Sequence, residues 1–167
     1  MKKTIVTACA ALMMCGTMMA KGGNPFFGKY ATPHGIPPFE LIKTEHYKPA
    51  FIKGMEEQKK EVAAIVNNKK PATFENTIAA LDRSGKLLNK VAYVFYAQIE
   101  ASTNNDMETV NLEMSPLLSQ HSDDIIMNAE LFKRVKYVYD HQKEMKLDKE
   151  QKELLEETYK RFVRSGA

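Results

Sequence analysis

Eight residues, Phe74, Ile78, Leu81, Gly85, Leu88, Ala92, Phe95 and Ile99, recur at intervals of four and three in strict alternation through residues 74–99. An α-helix turns once in about 3.6 residues, so this spacing lays a single apolar stripe along one long helix. Leu87, Val91 and Val94 flank the stripe. The helix is therefore apolar around more than one face and needs neighbours on several sides. A chain carrying such an element must fold by wrapping other helices around it.

The rest of the sequence supplies those helices. Tyr47, Phe51, Met55, Gln58, Val62 and Ile65 keep the same rhythm and predict a first helix over residues 47–67, with Thr44 as its N-cap and Pro71 beyond its end. Thr73 caps the second helix, predicted to reach Ala101. Gly85 lies on its buried stripe, where glycine costs about 1 kcal/mol against alanine. A close helix crossing or a local kink explains that choice; a break into two helices at Ser84-Gly85 is the alternative. A third helix starts at Asn104-Asn105 and carries Met107, Val110, Met114, Leu117, His121 and Ile125, with a bend expected at Pro116. Asn128 caps a fourth helix through Met145, with Leu131, Val135, Val138 and Gln142 inward. Asp148 and Gln151 form a capping box for a fifth, which carries Leu154, Leu155, Thr158 and Phe162 and ends at Gly166. No segment alternates with period two for long enough to make a strand. The expected class is all-α, with consecutive antiparallel helices joined by short loops.

Ahead of the helices lie two segments of different character. Residues 1–20 read as a signal peptide: Lys2 and Lys3 give a positive start, and the apolar run to Ala20 is too short for a membrane span. Cleavage after Ala20 is expected, and lipoprotein processing before Cys15 is the rival. Both cysteines, Cys9 and Cys15, fall in this segment, so the mature chain has no thiol for a disulfide, a metal or catalysis. Residues 21–46 hold Pro25, Pro33, Pro37 and Pro38, with Pro49 just beyond. This density favours extended and turn conformations. Phe26, Phe27, Tyr30, Ile36 and Phe39 are too apolar for a free tail, so we expect an arm that buries its aromatics on the helical body, residues 47–167. Removing Lys2 and Lys3 leaves 22 basic against 21 acidic residues. That balance gives no electrostatic reason to expect nucleic acid as a partner.

Tests for chemistry return little. Hydrolytic zinc needs three protein ligands, an open position and a base, which HExxH largely delivers from one helix. His34, His46, His121 and His141 are the only histidines, none is followed by Glu, and none pairs with another at i, i+4. His121 lies on an apolar stripe and is read as a core or edge histidine with a satisfied nitrogen; His141 is read as solvated. The carboxylate pairs Glu56-Glu57, Asp123-Asp124 and Glu156-Glu157, and the i, i+4 pair Glu153 and Glu157, sit among lysines and read as exposed helix faces. Tyr93, Phe95 and Tyr96 read as core rather than as a stacking platform. No catalytic, metal or cofactor-binding residue is assigned.

Five stretches carry a resemblance: NPFF at residues 24–27, PPFELIKTEHYKPAF at 37–51, PATFENTIAALDRSGKLLNKVAYVFYA at 71–97, NAELFKRVK at 128–136 and YKRFVRSGA at 159–167. In this order they are similar to the N-terminal region of bacterial peptidyl-dipeptidases (dipeptidyl carboxypeptidases), which group with oligopeptidase A, thimet oligopeptidase and neurolysin. The resemblance implies a larger, two-lobed, all-helical zinc peptidase with a deep channel that admits short peptides and releases dipeptides from free C-termini. It implies a zinc held by HExxH and a later glutamate, both downstream of the matched region. The expectation is a secreted, periplasmic peptidase represented by its N-terminal helical region, which supplies channel wall and scaffold, lacks the C-terminal catalytic region, binds no zinc itself and is inactive alone. No membrane span is expected after signal removal. The rival is a stand-alone helical binding module of the cell envelope that has lost the catalytic half.

Overall fold

A computed structural model describes residues 23–101 and 104–166; the expected signal peptide and both cysteines lie outside them. Among the described residues the chain is all-α, without a strand. Five helices have twelve residues or more: α1 (Tyr47–Val66), α3 (Lys86–Ala101), α4 (Asn105–Ile126), α5 (Ala129–Asp140) and α6 (Lys149–Arg164). A short α2 (Ala80–Asp82) follows a wide π-helical turn, Phe74–Ala79.

The caps follow side-chain chemistry. Thr73 and Asn76 form a reciprocal box at the π-helical turn, Asn104 accepts from Met107 N, Asn128 from Leu131 N, and Asp148 pairs with Gln151 at α6. Each places a side-chain oxygen on an amide that the helix leaves unpaired. Thr44 does not cap α1. It opens a 3₁₀ turn, Thr44–His46, and the His46 ring instead accepts from Lys43 N at 3.0 Å. α4 continues through Pro116, which has no amide to donate to the Leu112 carbonyl one turn before it. α5 ends at Asp140 rather than Met145, giving way to a 3₁₀ turn, Gln142–Glu144.

The main departure concerns the stripe itself. Residues 74–99 do not form one helix. The chain turns at Arg83 and Ser84, and Gly85 adopts φ +70°, the left-handed region open to glycine. The break divides the stripe between two cores. Phe74, Ile78 and Leu81 join Val62 and Ile65 of α1, Leu131 and Val135 of α5, and Leu155 and Phe162 of α6. Leu88, Val91 and Phe95 join Phe26, Tyr47 and Phe51, with Met107 and Met114 of α4. α1 spans both cores, one with each half. On α4 the apolar face also shifts: Leu117 is 49% exposed, and Leu118 packs inward instead.

The second core is aromatic. The Phe95 ring meets Tyr47 and Phe51 edge-on, at centroid distances of 4.9 and 5.2 Å. The Tyr47 hydroxyl donates to Gln98, and burial, with Tyr30 nearby, pushes its pKa up to about 12. The arm contributes less than expected. Phe26 is buried beneath Tyr47, but Phe27, Ile36 and Phe39 are 45%, 53% and 45% exposed. A polar clasp holds the arm. Asn24 donates to His46 O at 2.7 Å, and the Lys90 ammonium donates to the carbonyls of Phe26 and Gly28 while lying 3.8 Å from the Tyr30 ring centre.

Candidate functional site

Where the two cores meet, a chain of polar side chains crosses the molecule. Gln58 comes from α1, His121 from α4, and Ser84 from the turn that splits the stripe. The Ser84 hydroxyl donates to Leu81 O at 2.7 Å and accepts from Gln58 Nε2 at 3.2 Å. The Gln58 carbonyl oxygen is thereby left facing His121 Nε2 at 2.8 Å. That order fixes the imidazole as the Nε2–H tautomer, because only a donor can satisfy the amide oxygen. His121 is 4% exposed, and its Nδ1 is buried without a partner. Burial holds its pKa below the ordinary histidine range, Lys59 adds to the effect and Asp124 opposes it. One turn further along α1, Glu61 accepts from Gly85 N at 2.7 Å. α1 thus holds the glycine turn through two side chains.

The network lines a cleft of about 690 Å³ that is also lined by Asp123 of α4 and by Glu157 and Arg161 of α6. Its chemistry is limited by its own hydrogen bonds. Gln58 stands between Ser84 and His121, so the hydroxyl has no base within reach. Both imidazole nitrogens are shut away, one bonded and one enclosed.

The other residues tested in the sequence do not converge. His34 is exposed on a 3₁₀ turn, and His46 is spent on its local cap. His141 is half-buried rather than solvated, stacked on Tyr137 at 4.1 Å with its Nδ1 on Tyr137 O at 2.8 Å. The carboxylates are surface groups: Glu57 lies near Lys53, Asp124 near Lys59, Glu153 near Lys149 and Glu156 near Lys160. Phe95 is core, whereas Tyr93 is 78% and Tyr96 41% exposed. Among the described residues no three His, Cys, Asp or Glu side chains gather as a metal site, and no helix is long and apolar enough to cross a membrane. Sequence reasoning singled out His121 but missed its partners. The available signal was that Gln58 and His121 both interrupt apolar stripes, on different helices, and so could satisfy each other.

No family model matches the chain. It is similar to the dipeptidyl carboxypeptidase of Escherichia coli strain K12, 40% identical over 144 residues, which are 86% of this chain and 21% of that protein. The dipeptidyl carboxypeptidase of Salmonella typhimurium is 38% identical over the same length and coverage. Oligopeptidase A of Escherichia coli strain K12 is 24% identical over 135 residues, 81% of this chain and 20% of that protein. The chain thus spans about one fifth of the length of the curated relatives it matches. Over that fifth the chain is similar to the dipeptidyl carboxypeptidases and, at greater distance, to oligopeptidase A.

Proposed function

We propose that this chain is the helical scaffold region of an exported peptidase that removes dipeptides from the C-termini of short peptides. The observation that carries the reading is 40% identity sustained over 86% of the chain with a protein named for that activity. The geometry supports a structural share in it. Two cores, a clasped arm and a polar chain whose donors and acceptors are mostly consumed internally make a rigid wall rather than a reaction centre. Zinc, the cofactor the resemblance implies, finds no fitting donor set in the described residues: the histidines lie apart, and the one unpartnered nitrogen of His121, Nδ1, is enclosed with no second His, Cys, Asp or Glu ligand gathered beside it. No chemical step is therefore assigned to these residues; the chemistry belongs to groups of the longer relatives. Export is proposed from residues 1–20, whose positive start and apolar run fit a leader to the periplasm.

The test is a chimera. The matched fifth of the Escherichia coli dipeptidyl carboxypeptidase is exchanged for residues 23–167 of this chain, and dipeptide release from short peptides is measured. Release within about tenfold of the parent, with KM the more affected constant, is expected for a scaffold that shapes access. A folded chimera that releases nothing would count against the scaffold role and favour the separate binding module.

A further inference from the structure

The polar chain between the cores contains one buried group that titrates, and every charged group around it can be placed. On its own helix stand Asp124, which meets Lys59 of α1 at 3.4 Å, and Asp123. From α1 come Lys59 and Glu61, the latter committed to Gly85 N. Asp82 lies beside the glycine turn, and α6 lines the cleft with Glu157 and Arg161. None of these carboxylates makes a hydrogen bond to the ring among the described contacts; Gln58 alone does.

We propose that the His121–Gln58–Ser84 chain is an acid-released latch between the two cores. A proton arriving on the neutral ring must sit on Nδ1, since Nε2 already carries one. Nδ1 has no acceptor and no contact with solvent. A buried, unpaired cationic N–H is costly, so the ring relieves it by turning out into the cleft, where water and the Asp123 and Glu157 carboxylates are at hand. Turning out breaks the bond to Gln58, and Gln58 in turn loses the geometry that holds Ser84. Of the two α1 side chains that hold the glycine turn, Glu61 alone then remains in place. The direction with pH follows. The imidazole is neutral in the closed state and more easily protonated in the open one, so the latch is complete above the ordinary histidine pKa of 6.5 and weakens as pH falls below it.

The experiment follows the His121 ring resonances and the exchange rate of the Gly85 amide in the chain as it stands, from about pH 8 to about pH 4. A ring midpoint below 6.5 is expected, with Gly85 opening at least about tenfold more readily across the same interval once intrinsic exchange is corrected for. His121→Gln keeps a donor for Gln58 and cannot titrate, so the acid-dependent opening should vanish. A midpoint at or above 6.5, or unchanged opening in His121→Gln, overturns the latch. Should that variant not fold, Gln58→Glu gives the imidazolium a partner and should raise the midpoint by about one unit or more. An unmoved midpoint overturns the proposal equally.

Discussion

An added Cβ at residue 54 would lie 2.8 Å from Leu88 Cα and 2.9 Å from Leu88 N, both backbone atoms of α3. Inside α1 an alanine would ordinarily gain about 1 kcal/mol over glycine. Here the close crossing of α1 and α3 reverses the sign, because backbone cannot step aside as a flexible side chain does. Gly54→Ala should destabilise the chain by about 1–3 kcal/mol, read as a lower denaturant midpoint at unchanged slope. Gly85 is constrained twice: its φ of +70° disfavours any Cβ, and that Cβ would meet the Gln58 amide at 2.6 Å. We expect Gly85→Ala to cost about 1–2 kcal/mol from the backbone alone and to disturb the Gln58–His121 bond as well. Gly28 has nothing within 4 Å and a φ of −110°, so Gly28→Ala serves as the control, within about 0.5 kcal/mol of the parent. Equal losses at all three positions would refute the packing argument.

At the scale of elements, termini carry much of the specification. Thr73→Ala removes one half of a capping box at the π-helical turn and should cost about 1 kcal/mol; Asp148→Ala should do the same at α6. Thermal unfolding of the two single variants and the double tests this, and the double should be additive, since the caps serve separate helix starts. Asn104, Asn128 and the Asp148–Gln151 box were legible in the sequence because an Asn or Asp ahead of an apolar rhythm has a local meaning. The all-α class was legible for the same reason: period and propensity agree along the chain. The division of residues 74–99 was not legible from period alone, because the four-three rhythm runs through Ser84-Gly85 without a slip. Only the positive φ of Gly85, and side chains 24 and 26 residues away that grip the turn, distinguish a break from a continuous helix. The same limit hid the candidate site. Gln58, Ser84 and His121 become neighbours through tertiary packing, and each reads separately as an ordinary polar residue. Leu117 was misplaced for a simpler reason: a helical stripe allows a step of three or four at each turn, and from Met114 the inward step is the four to Leu118, with Met107, Met114 and His121 keeping one face through Pro116.

For the whole molecule, the decisive question is how much apolar surface remains after two cores are built. α3 does bury several faces: Leu88, Val91, Val94 and Phe95 are all 9% exposed or less. α1, α4 and the arm suffice to cover it there, so the demand set by the stripe is met within the chain. What stays outside lies elsewhere. Tyr93 and Leu112 are 78% and 76% exposed, and Ile36, Phe39 and Leu41 of the arm stand 53%, 45% and 51% exposed within six residues of one another. Single exposed apolar residues are ordinary, but a run of large ones on one short segment favours association. We therefore expect residues 23–167, prepared alone, to bind a hydrophobic dye or to self-associate at neutral pH. The cause is separable from instability. Phe39→Lys and Leu41→Lys lie outside both cores, so each should change unfolding free energy by no more than about 0.5 kcal/mol. Together they should nonetheless lower dye binding and shift sedimentation toward the monomer. If dye binding instead rises with the two substitutions, the bound surface comes from loosened cores, and the scaffold would be held together by something the exposed arm does not supply.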